Sequence, residues 1–389
     1  MTELAFCPLC GAGSAEPVIT LDDMPVICNQ LWPDADAART APRATIELVA
    51  CRTCALVWNR RYDPQKMVYA PGYENALHFS PRFRSFAETL AAGLTARHEL
   101  KGADIVEIGC GDGYMLDQMV RQGAASAIGF DPSMADQPSE FTRRDGVRIV
   151  AEYFHPEQLD RSFDMVMCRH VVEHLDDPAT LLGNIRRAIG NRPVPIYIEV
   201  PNAEWLFDVV SPWDVIYEHI TYWTRSTMET LLRRTGFEPI DVIPGYGRQF
   251  LMAEAHPAAP DPVFRSADTV AALEAVKDFH RASEDGIAAW RARLGGIDGP
   301  VVVWGSGSKG ITFVNVMGAE AGAICAMIDV NDRKHGLVAP GAAIPVVPPE
   351  ALTEIQPALV IVSNGLYAAE IEAQVAGLGL APEFAVLAG

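Results

Sequence analysis

The sequence predicts an α/β protein whose main domain has a parallel, doubly wound sheet, flanked by a small metal-binding module and a second α/β domain. Three observations predict this. Two Cys-x2-Cys pairs lie within the first 54 residues. From Ala103 onward, short apolar runs alternate with helical patterns, as in ADIVEIG followed by MLDQMVRQG. Glycine-rich loops follow two of the apolar runs. Such alternation indicates a parallel sheet that binds ligands at the carboxyl ends of its strands.

The length of 389 residues exceeds what one core usually supports. We expect three domains, over residues 1–65, 66–258 and 259–389. Residues 80–98 predict the first helix of the middle domain, because Ser80 is a good N-cap and Pro81 suits the first helical position. A Pro/Ala-rich joint, AHPAAPDP, separates the middle domain from the last one.

The charge of the chain is strongly negative. With 31 Lys and Arg against 50 Asp and Glu, the net charge is −19. A field of that sign repels phosphate backbones, so we expect no nucleic-acid partner. No stretch reaches the roughly 18 apolar residues that span a bilayer, and no signal peptide is visible. We therefore expect a cytoplasmic protein without a membrane partner.

Two short cysteine pairs, CPLC and CRTC, supply four thiols at metal-ligand spacing. Four thiolates arranged on two tight turns can bind one Zn2+ tetrahedrally and leave no open coordination position. The spacing therefore predicts a structural zinc site on Cys7, Cys10, Cys51 and Cys54. Disulfides and idle thiols are the alternatives, and a reducing compartment disfavours disulfides.

A glycine loop, VEIGCGDGYML, follows the first strand of the middle domain. Gly109, Gly111 and Gly113 allow a sharp turn and close approach of the backbone to a ligand. Glu107 would repel a pyrophosphate and suits a cationic ligand such as S-adenosylmethionine (SAM). Asp131 ends the next strand, where a carboxylate can bind both hydroxyls of a ribose. The pattern predicts a SAM site, and a turn without a ligand is the alternative.

Together these motifs resemble class I SAM-dependent methyltransferases. The cysteine pairs with DDMPVICNQ between them, HVVEHLDDP, IEVP, YEHITYWT and GSGSKG…IDVNDRKHG…APGAAIPV are similar to the three-domain C-methyltransferases that act on nucleotide-linked deoxysugars. The resemblance covers essentially the whole chain. It implies a small N-terminal zinc-binding domain that helps enclose the acceptor. It also implies a Rossmann-like methyltransferase domain and a C-terminal Rossmann-like α/β domain that contributes to the acceptor site.

The same resemblance gives a role to the stretch WDVIYEHITYWT, from Trp213 to Thr224. It implies that His219 is the general base that removes a proton next to a ketone, so that an enolate attacks the methyl group. Glu218 would orient the imidazole or contact the acceptor, and His174 would be a second histidine of the active site. An imidazole with an ordinary pKa suits proton removal near neutral pH. Structural, hydrogen-bonded histidines are the alternative.

The chain departs from the family at two tyrosine positions. One family tyrosine lies just before the Glu-His pair, where this chain has Ile216, although Tyr217 and Tyr222 are near and are candidate acceptor-binding residues. The other matches Leu77, with Tyr73 nearby. These departures leave the acceptor open. O- or N-methylation of another small molecule is the alternative to methylation of a sugar carbon.

A second glycine loop, WGSGSKG, opens the C-terminal domain. Gly305, Gly307 and Gly310 spell the dinucleotide fingerprint, and Asp329 follows 19 residues later. Three interpretations stay open: binding of the acceptor's phosphate, a purely structural turn, or binding of NAD. The last would make the chain an oxidoreductase, and a zinc-containing interaction protein without catalysis is a further alternative. The candidate phosphate donors are Ser306, Ser308 and Lys309.

Overall fold

The computed structural model describes residues 4–67, 77–135, 139–158, 162–261 and 269–387. Its strands are β1 (Ala15–Pro25), β2 (Arg43–Cys51), β3 (Val57–Asn59), β4 (Asp104–Ile108), β5 (Ser126–Phe130), β6 (Val147–Val150), β7 (Met165–Arg169), β8 (Ile196–Pro201), β9 (Thr221–Tyr222), β10 (Phe237–Gly245), β11 (Phe250–Pro257), β12 (Val301–Trp304), β13 (Ile324–Ile328), β14 (Val346–Val347), β15 (Leu359–Val362) and β16 (Glu383–Val386). Its helices are α1 (Ala35–Arg39), α2 (Pro81–Arg97), α3 (Tyr114–Arg121), α4 (Pro178–Ile189), α5 (Ala203–Asp208), α6 (Arg225–Arg234), α7 (Thr269–Gly295), α8 (Ser308–Met317), α9 (Leu352–Ile355) and α10 (Ala368–Gly377).

The largest sheet has seven strands in the order β10-β11-β8-β7-β4-β5-β6. Strands β6, β5, β4, β7 and β8 are parallel, and β11 and β10 add an antiparallel pair at one edge. The chain leaves β4 to β5 on one side and later returns through β7 on the other. Ligands of such sheets bind outside the carboxyl ends of the strands where this reversal occurs. The predicted doubly wound sheet is confirmed.

Helix α2 shows why the sequence predicted this part of the fold well. The Ser80 side chain accepts a hydrogen bond from the Phe83 amide at 3.4 Å, and Pro81 takes the first helical position. Phe83, Leu90 and Leu94 recur at helical spacing and are buried. Their burial, at roughly 1.5–3 kcal/mol for each large apolar side chain, fixes the helix on the sheet.

The N-terminal sheet has the order β1-β2-β3-β9. Its fourth strand belongs to the chain that follows the Glu-His pair, since Val57 pairs with Tyr222 and Trp58 with Thr221. A strand from the middle of the sequence therefore completes the sheet of the N-terminal region. This pairing attaches the WDVIYEHITYWT stretch to the module that carries the cysteines.

The C-terminal sheet is parallel, with the order β14-β13-β12-β15-β16. It does not stand apart from the rest. The Trp213 ring meets Phe313 of α8 edge-on at 5.0 Å, and its indole N–H donates to the Leu387 carbonyl at 3.3 Å. Val276 and Phe279 of α7 belong to the same buried apolar cluster. This shared core positions all three regions around one cleft. Among the described residues, no helix combines the length and apolar character needed to cross a membrane.

Candidate active site

The glycine loop after β4 has the backbone that its sequence requires. Gly109, Gly111 and Gly113 all adopt positive φ, at 70°, 51° and 85°. A Cβ on Gly109 would lie 2.1 Å from Cγ2 of Val171, so only glycine fits there. Gly113 is the N-cap of α3, which directs the helix N-terminus toward the loop.

Asp131 stands at the carboxyl end of β5, beside this loop. Its carboxylate accepts hydrogen bonds from the Gly111 amide at 2.8 Å and from the amide and hydroxyl of Ser133 at 2.9 and 2.6 Å. The residue is only partly buried. The structure therefore brings four predicted residues, Gly109, Gly111, Gly113 and Asp131, to one point of the sheet.

Glu107 lies behind the loop in β4. Its side chain is buried, and Arg169 Nη1 is 3.8 Å from Oε1. Burial raises the pKa of Glu107 to about 8, although the charge of Arg169 opposes this. Arg169 itself bonds Glu199 Oε1 at 2.8 Å, so Glu107 shares its cation with a second carboxylate. A pKa of about 8 favours the protonated form of Glu107 at neutral pH.

His174 and His219 meet in the cleft, with ring centroids 5.0 Å apart. The Nδ1–H of His174 donates to the Glu218 carbonyl at 2.8 Å, since a carbonyl can only accept. Burial lowers the pKa of both imidazoles, and the neighbouring His174 contributes for His219, whose pKa falls to about 3. The ordinary imidazole value assumed from the sequence does not apply here. His219 is neutral, with a lone pair available, throughout the neutral range.

The Glu218 side chain was expected to orient an imidazole or contact the acceptor, but it lies outside the cavity lining. Its carboxylate is fully buried and accepts a hydrogen bond from the Cys28 amide at 2.9 Å. Its carbonyl holds His174, as described above. The residue thus fixes the His174 tautomer through its backbone and attaches the loop to the N-terminal region through its side chain.

A cavity of about 440 Å3 opens where the three regions meet. His174, His219 and Tyr222 line one part of it, and Ser308 and Lys309 of α8 line another. The Lys309 ammonium lies 2.8 Å from the Asp214 carboxylate and 4.3 Å from the centre of the Trp205 ring. Asp214 and Trp205 were not predicted as site residues, because they contact Lys309 from positions about a hundred residues away in the sequence.

The candidate acceptor tyrosines differ in their placement. The Tyr222 hydroxyl accepts from the Ile216 amide and donates to its carbonyl, both at 3.2 Å. The Tyr217 hydroxyl accepts from the Asp63 amide at 2.8 Å, outside the cavity lining. Leu77 and Ile216 line the cavity with apolar side chains, and Tyr73 lies outside the described residues.

Beside the second glycine loop, the acidic residue Asp329 accepts hydrogen bonds from neighbouring residues of the same domain. Asp329 accepts from the amide and hydroxyl of Ser306 at 3.0 and 2.6 Å and from the Asn331 amide at 3.0 Å. Lys334 Nζ lies 3.4 Å away. Although burial opposes it, these partners lower the pKa of Asp329, with Lys334 contributing most. Ser306 is buried on Asp329, so of the three candidate donors only Ser308 and Lys309 line the cavity.

The four predicted zinc ligands converge, and their sulfur atoms all lie within 4.8 Å of one another. Cys7 and Cys54 Sγ are 3.6 Å apart, and Cys10 and Cys51 Sγ are 3.5 Å apart. Tetrahedral Zn–S bonds of about 2.3 Å place sulfurs about 3.8 Å apart. The eight cysteines, all within the described ranges, form no disulfide. The thiols thus fit a metal ion of that size.

Two side chains that the sequence reasoning did not select lie beside the histidine pair. His170 Nε2 is 3.1 Å from Glu199 Oε1, and its Nδ1 is 3.4 Å from Glu173 Oε1. Burial opposes protonation, but the two carboxylates raise the pKa of His170 to about 9. The H-x-x-E-H spacing of HVVEHL was the available signal, since Glu173 directly precedes His174 and His170 lies four residues before it.

Comparison with known proteins agrees with this geometry. Residues 81–242 match the family of methyltransferase domains, and residues 276–380 match the C-methyltransferase C-terminal domain. The chain is 23% identical to the C-methyltransferase NovU of Streptomyces niveus, over 94% of this chain and 90% of that protein. It is 34% identical over 93 residues to the ubiquinone biosynthesis O-methyltransferase of Neisseria meningitidis serogroup C, which covers 22% of this chain.

The match to the Neisseria protein spans 38% of that protein's length, and a match to a tRNA U34 carboxymethyltransferase of Sulfurovum sp. spans 52%. Among solved structures, the chain is similar to magnesium protoporphyrin IX methyltransferase from Synechocystis PCC 6803 with bound SAH. That likeness has a TM-score of 0.37 and 15% identity and covers 49% of this chain and 91% of the other.

The chain therefore contains a class I SAM-dependent methyltransferase domain and is similar to the C-methyltransferases, as its motifs predicted. The expected methyltransferase domain is confirmed.

Proposed function

We propose that this protein transfers a methyl group from SAM to a carbon atom of a nucleotide-linked ketosugar bound in the central cavity. The observation that carries the proposal is the cavity itself. It joins a neutral histidine pair at the methyltransferase sheet to a lysine at the N-terminus of α8. A small acceptor with an anionic end can span these two parts. A nucleic acid, with its many phosphates, would be repelled by the net charge of −19.

The donor site is assigned to the loop after β4. Gly109, Gly111 and Gly113 let the backbone approach the ligand, and Asp131 would hold the ribose hydroxyls. Glu107 lies near the expected position of the donor's ammonium, whose positive charge would favour the ionised carboxylate. When bound, SAM supplies an electrophilic methyl group on a sulfonium.

His219 is assigned as the base. Its neutral imidazole accepts the proton next to the acceptor's ketone, and the electron pair of the broken C–H bond forms an enolate. The enolate carbon then bonds the methyl group as the sulfonium becomes a thioether, and the proton on His219 passes to solvent. His174, whose tautomer is fixed by the Glu218 carbonyl, orients the acceptor or His219.

The anionic end of the acceptor is assigned to α8. The N-terminus of this helix carries unbonded amides and a partial positive charge, which favour phosphate. Ser308 and Lys309 lie on its first turn and line the cavity. Asp329, which an NAD ribose would need, differs from Asp131 in that the Lys334 ammonium lies 3.4 Å from its carboxylate and compensates its charge. This arrangement favours acceptor binding over an oxidoreductase.

Methylation of a non-sugar acceptor is the second candidate. Leu77 and Ile216 replace two family tyrosines and make that part of the cavity apolar. An acceptor with an apolar ring in place of a hydroxylated sugar fits this change, and O- or N-methylation then needs the same base.

We also propose that the cysteine cluster holds one structural Zn2+. The sulfur spacing fits tetrahedral coordination, and the cluster fixes the start of the chain against β2 and the turn after it. Metal analysis of the purified protein should give one zinc per chain, and Cys51→Ser should lose it together with thermal stability.

The decisive experiment is a thermal-shift titration of the SAH-saturated protein with TDP, UDP, GDP and CDP. A ligand that binds only the folded state raises the melting temperature. A shift with one nucleotide, abolished by Lys309→Gln, supports the nucleotide-sugar acceptor and selects the sugars to assay. If no nucleotide shifts the protein, the acceptor lacks a nucleotide and the second candidate replaces the first.

A further inference from the structure

A buried carboxylate, Glu173, lies behind the histidine pair and belongs to none of the assignments above. Its side chain is 1% exposed, yet neither of its carboxylate oxygens has a hydrogen-bond partner among the described residues. Leaving a buried carboxylate without hydrogen bonds costs more than its packing returns. Such a group persists where a neighbouring positive charge compensates it.

The compensating charge is that of His170, because the other two imidazoles near Glu173 are neutral. His170 Nδ1 is 3.4 Å from Glu173 Oε1, and the facing atoms of Glu173, His174 and His219 all lie within 4.8 Å of one another. The charge of Glu173 also contributes to the raised pKa of the buried Cys168 thiol, after burial itself. Because His170 contacts Glu199 with its other nitrogen, both of its nitrogens face carboxylates. That arrangement suits an imidazolium, which keeps Glu173 ionised.

The backbone of Glu173 fixes the position of His219 relative to this carboxylate. The Ile220 amide donates to the Glu173 carbonyl at 2.7 Å, and the Thr221 hydroxyl donates to the Val172 carbonyl at 3.3 Å. Glu173 and its neighbour Val172 therefore hold the two residues that follow the proposed base.

We infer that Glu173 is a positioning residue for the methyl transfer: it holds the imidazolium that forms on His219 when the acceptor loses its proton. The inference rests on the function proposed above. His219 is a weak base because burial disfavours its charged form. A fixed carboxylate within a few ångströms opposes that penalty at the moment the charge appears, as preorganised electrostatics do in other enzymes. His170, held by Glu199, keeps the carboxylate ionised between turnovers.

The test compares Glu173→Gln with Glu173→Asp in the SAH complex. Nitrogen NMR of labelled histidines needs no acceptor. We expect His170 to lose its proton near pH 9 in the wild type and in Glu173→Asp, and about one pH unit lower in Glu173→Gln, where Glu199 alone remains. Glu254→Gln is the matched control, because Glu254 pairs with His98 on a surface outside the cavity. An unchanged His170 titration in Glu173→Gln overturns the inference.

Turnover supplies the second readout, with the sugar nucleotide that the thermal-shift screen selects. We expect Glu173→Gln to lower kcat by about 10-fold or more with little change in KM. The acidic limb of its pH profile should move to lower pH, because His219 loses the carboxylate that favours its protonated form. Glu173→Asp should restore part of the rate. If Glu173 has a purely structural role, Glu173→Gln should lose SAH binding or stability, and the acidic limb of its pH profile should stay at the wild-type pH.

Two further outcomes separate the inference from the proposed function. If the wild type methylates no sugar nucleotide, the proposed acceptor is wrong, while the His170 titration still decides whether Glu173 is the charged partner. If chelator-treated wild type recovers turnover only with Mg2+ or Mn2+, and Glu173→Gln loses that response, the carboxylate is a metal ligand. The positioning role is then overturned.

Discussion

The chain contains two glycine loops of similar design, and they differ in what their acidic residue is bonded to. Asp131, at the end of β5, accepts from the Gly111 amide and from the amide and hydroxyl of Ser133, and it remains partly exposed beside the loop after β4. Asp329, at the end of β13, accepts from Ser306 and Asn331 in a similar way, but it also has the Lys334 ammonium 3.4 Å away and is 9% exposed. The two acids thus differ in charge compensation and exposure: Lys334 compensates the charge of Asp329, and Asp131 is the more exposed of the two.

Within the second loop, two glycines serve different purposes. A Cβ on Gly310 would lie 2.1 Å from the Gly305 carbonyl oxygen, so this glycine permits close packing of helix and strand. Gly307 opens toward the cavity, and no described heavy atom lies within 4 Å of its hypothetical Cβ. A glycine fingerprint thus predicts the turn, and the bonds of the nearby acid decide which ligand the turn can hold.

The largest expected effect concerns the residue placed between the two loops. His219→Asn should leave binding at both loops intact and lower turnover by about 100- to 10,000-fold, as expected for loss of a general base. Titration calorimetry with SAH and the selected nucleotide, followed by a methyl-transfer assay, separates binding from chemistry. Turnover at the wild-type rate would remove His219 as the base.

The second prediction tests the loops against each other. Asp131→Ala should weaken SAH binding by about 10- to 100-fold, the usual loss when a charged hydrogen-bond acceptor is removed. Asp329→Ala should lower thermal stability and leave SAH affinity within about twofold. Calorimetry on both variants measures this. Equal effects on SAH affinity would mean that the donor site has been assigned to the wrong loop.

The third prediction compares Gly310 with Gly307, two glycines of the loop after β12. Gly310→Ala should destabilise the protein by about 1–3 kcal/mol, because its methyl group meets a backbone carbonyl that cannot move aside. Gly307→Ala meets open space at a φ of −87° and should stay within about 0.5 kcal/mol of the wild type. Urea unfolding measures both. A destabilised Gly307→Ala would contradict the open geometry of this turn.

Local patterns in the sequence predicted the parts of the molecule that local forces form. Helix α2, the apolar run before each glycine loop and each Cys-x2-Cys pair were visible as short local patterns. The pairing of Val57 with Tyr222 and that of Lys309 with Asp214 join distant segments and left no periodic signal. The bond from the Cys28 amide to Glu218 is of the same kind, and it changed the expected role of that carboxylate. His170 and Glu173 were within a recognised motif, but their charges became meaningful only beside Glu199.

The finest distinction between the two loops is the pH dependence of the acids beside them, Glu107 and Asp329. The folded-state pKa of Glu107 is about 8, above its ordinary 4.5, so its contribution to stability is complete below 4.5 and is lost as pH rises through 8. Asp329 has a lowered pKa, so its contribution is present above the ordinary 3.8 and is lost as pH falls through its folded-state value.

Glu107→Gln should therefore remove a decline in the free energy of unfolding between pH 5 and 8, with a slope of up to about 1.4 kcal/mol per pH unit. Asp329→Asn should instead lose stability at neutral pH and weaken the decline in acid. Urea unfolding at half-unit pH steps, taken as the difference between variant and wild type, cancels the contribution of His170 and other groups. Difference curves of the same sign would mean that both acids are ionised in the folded protein. Glu107 would then be an ordinary ion pair of Arg169, and the first loop would lack the uncharged acid that a cationic donor ionises on binding.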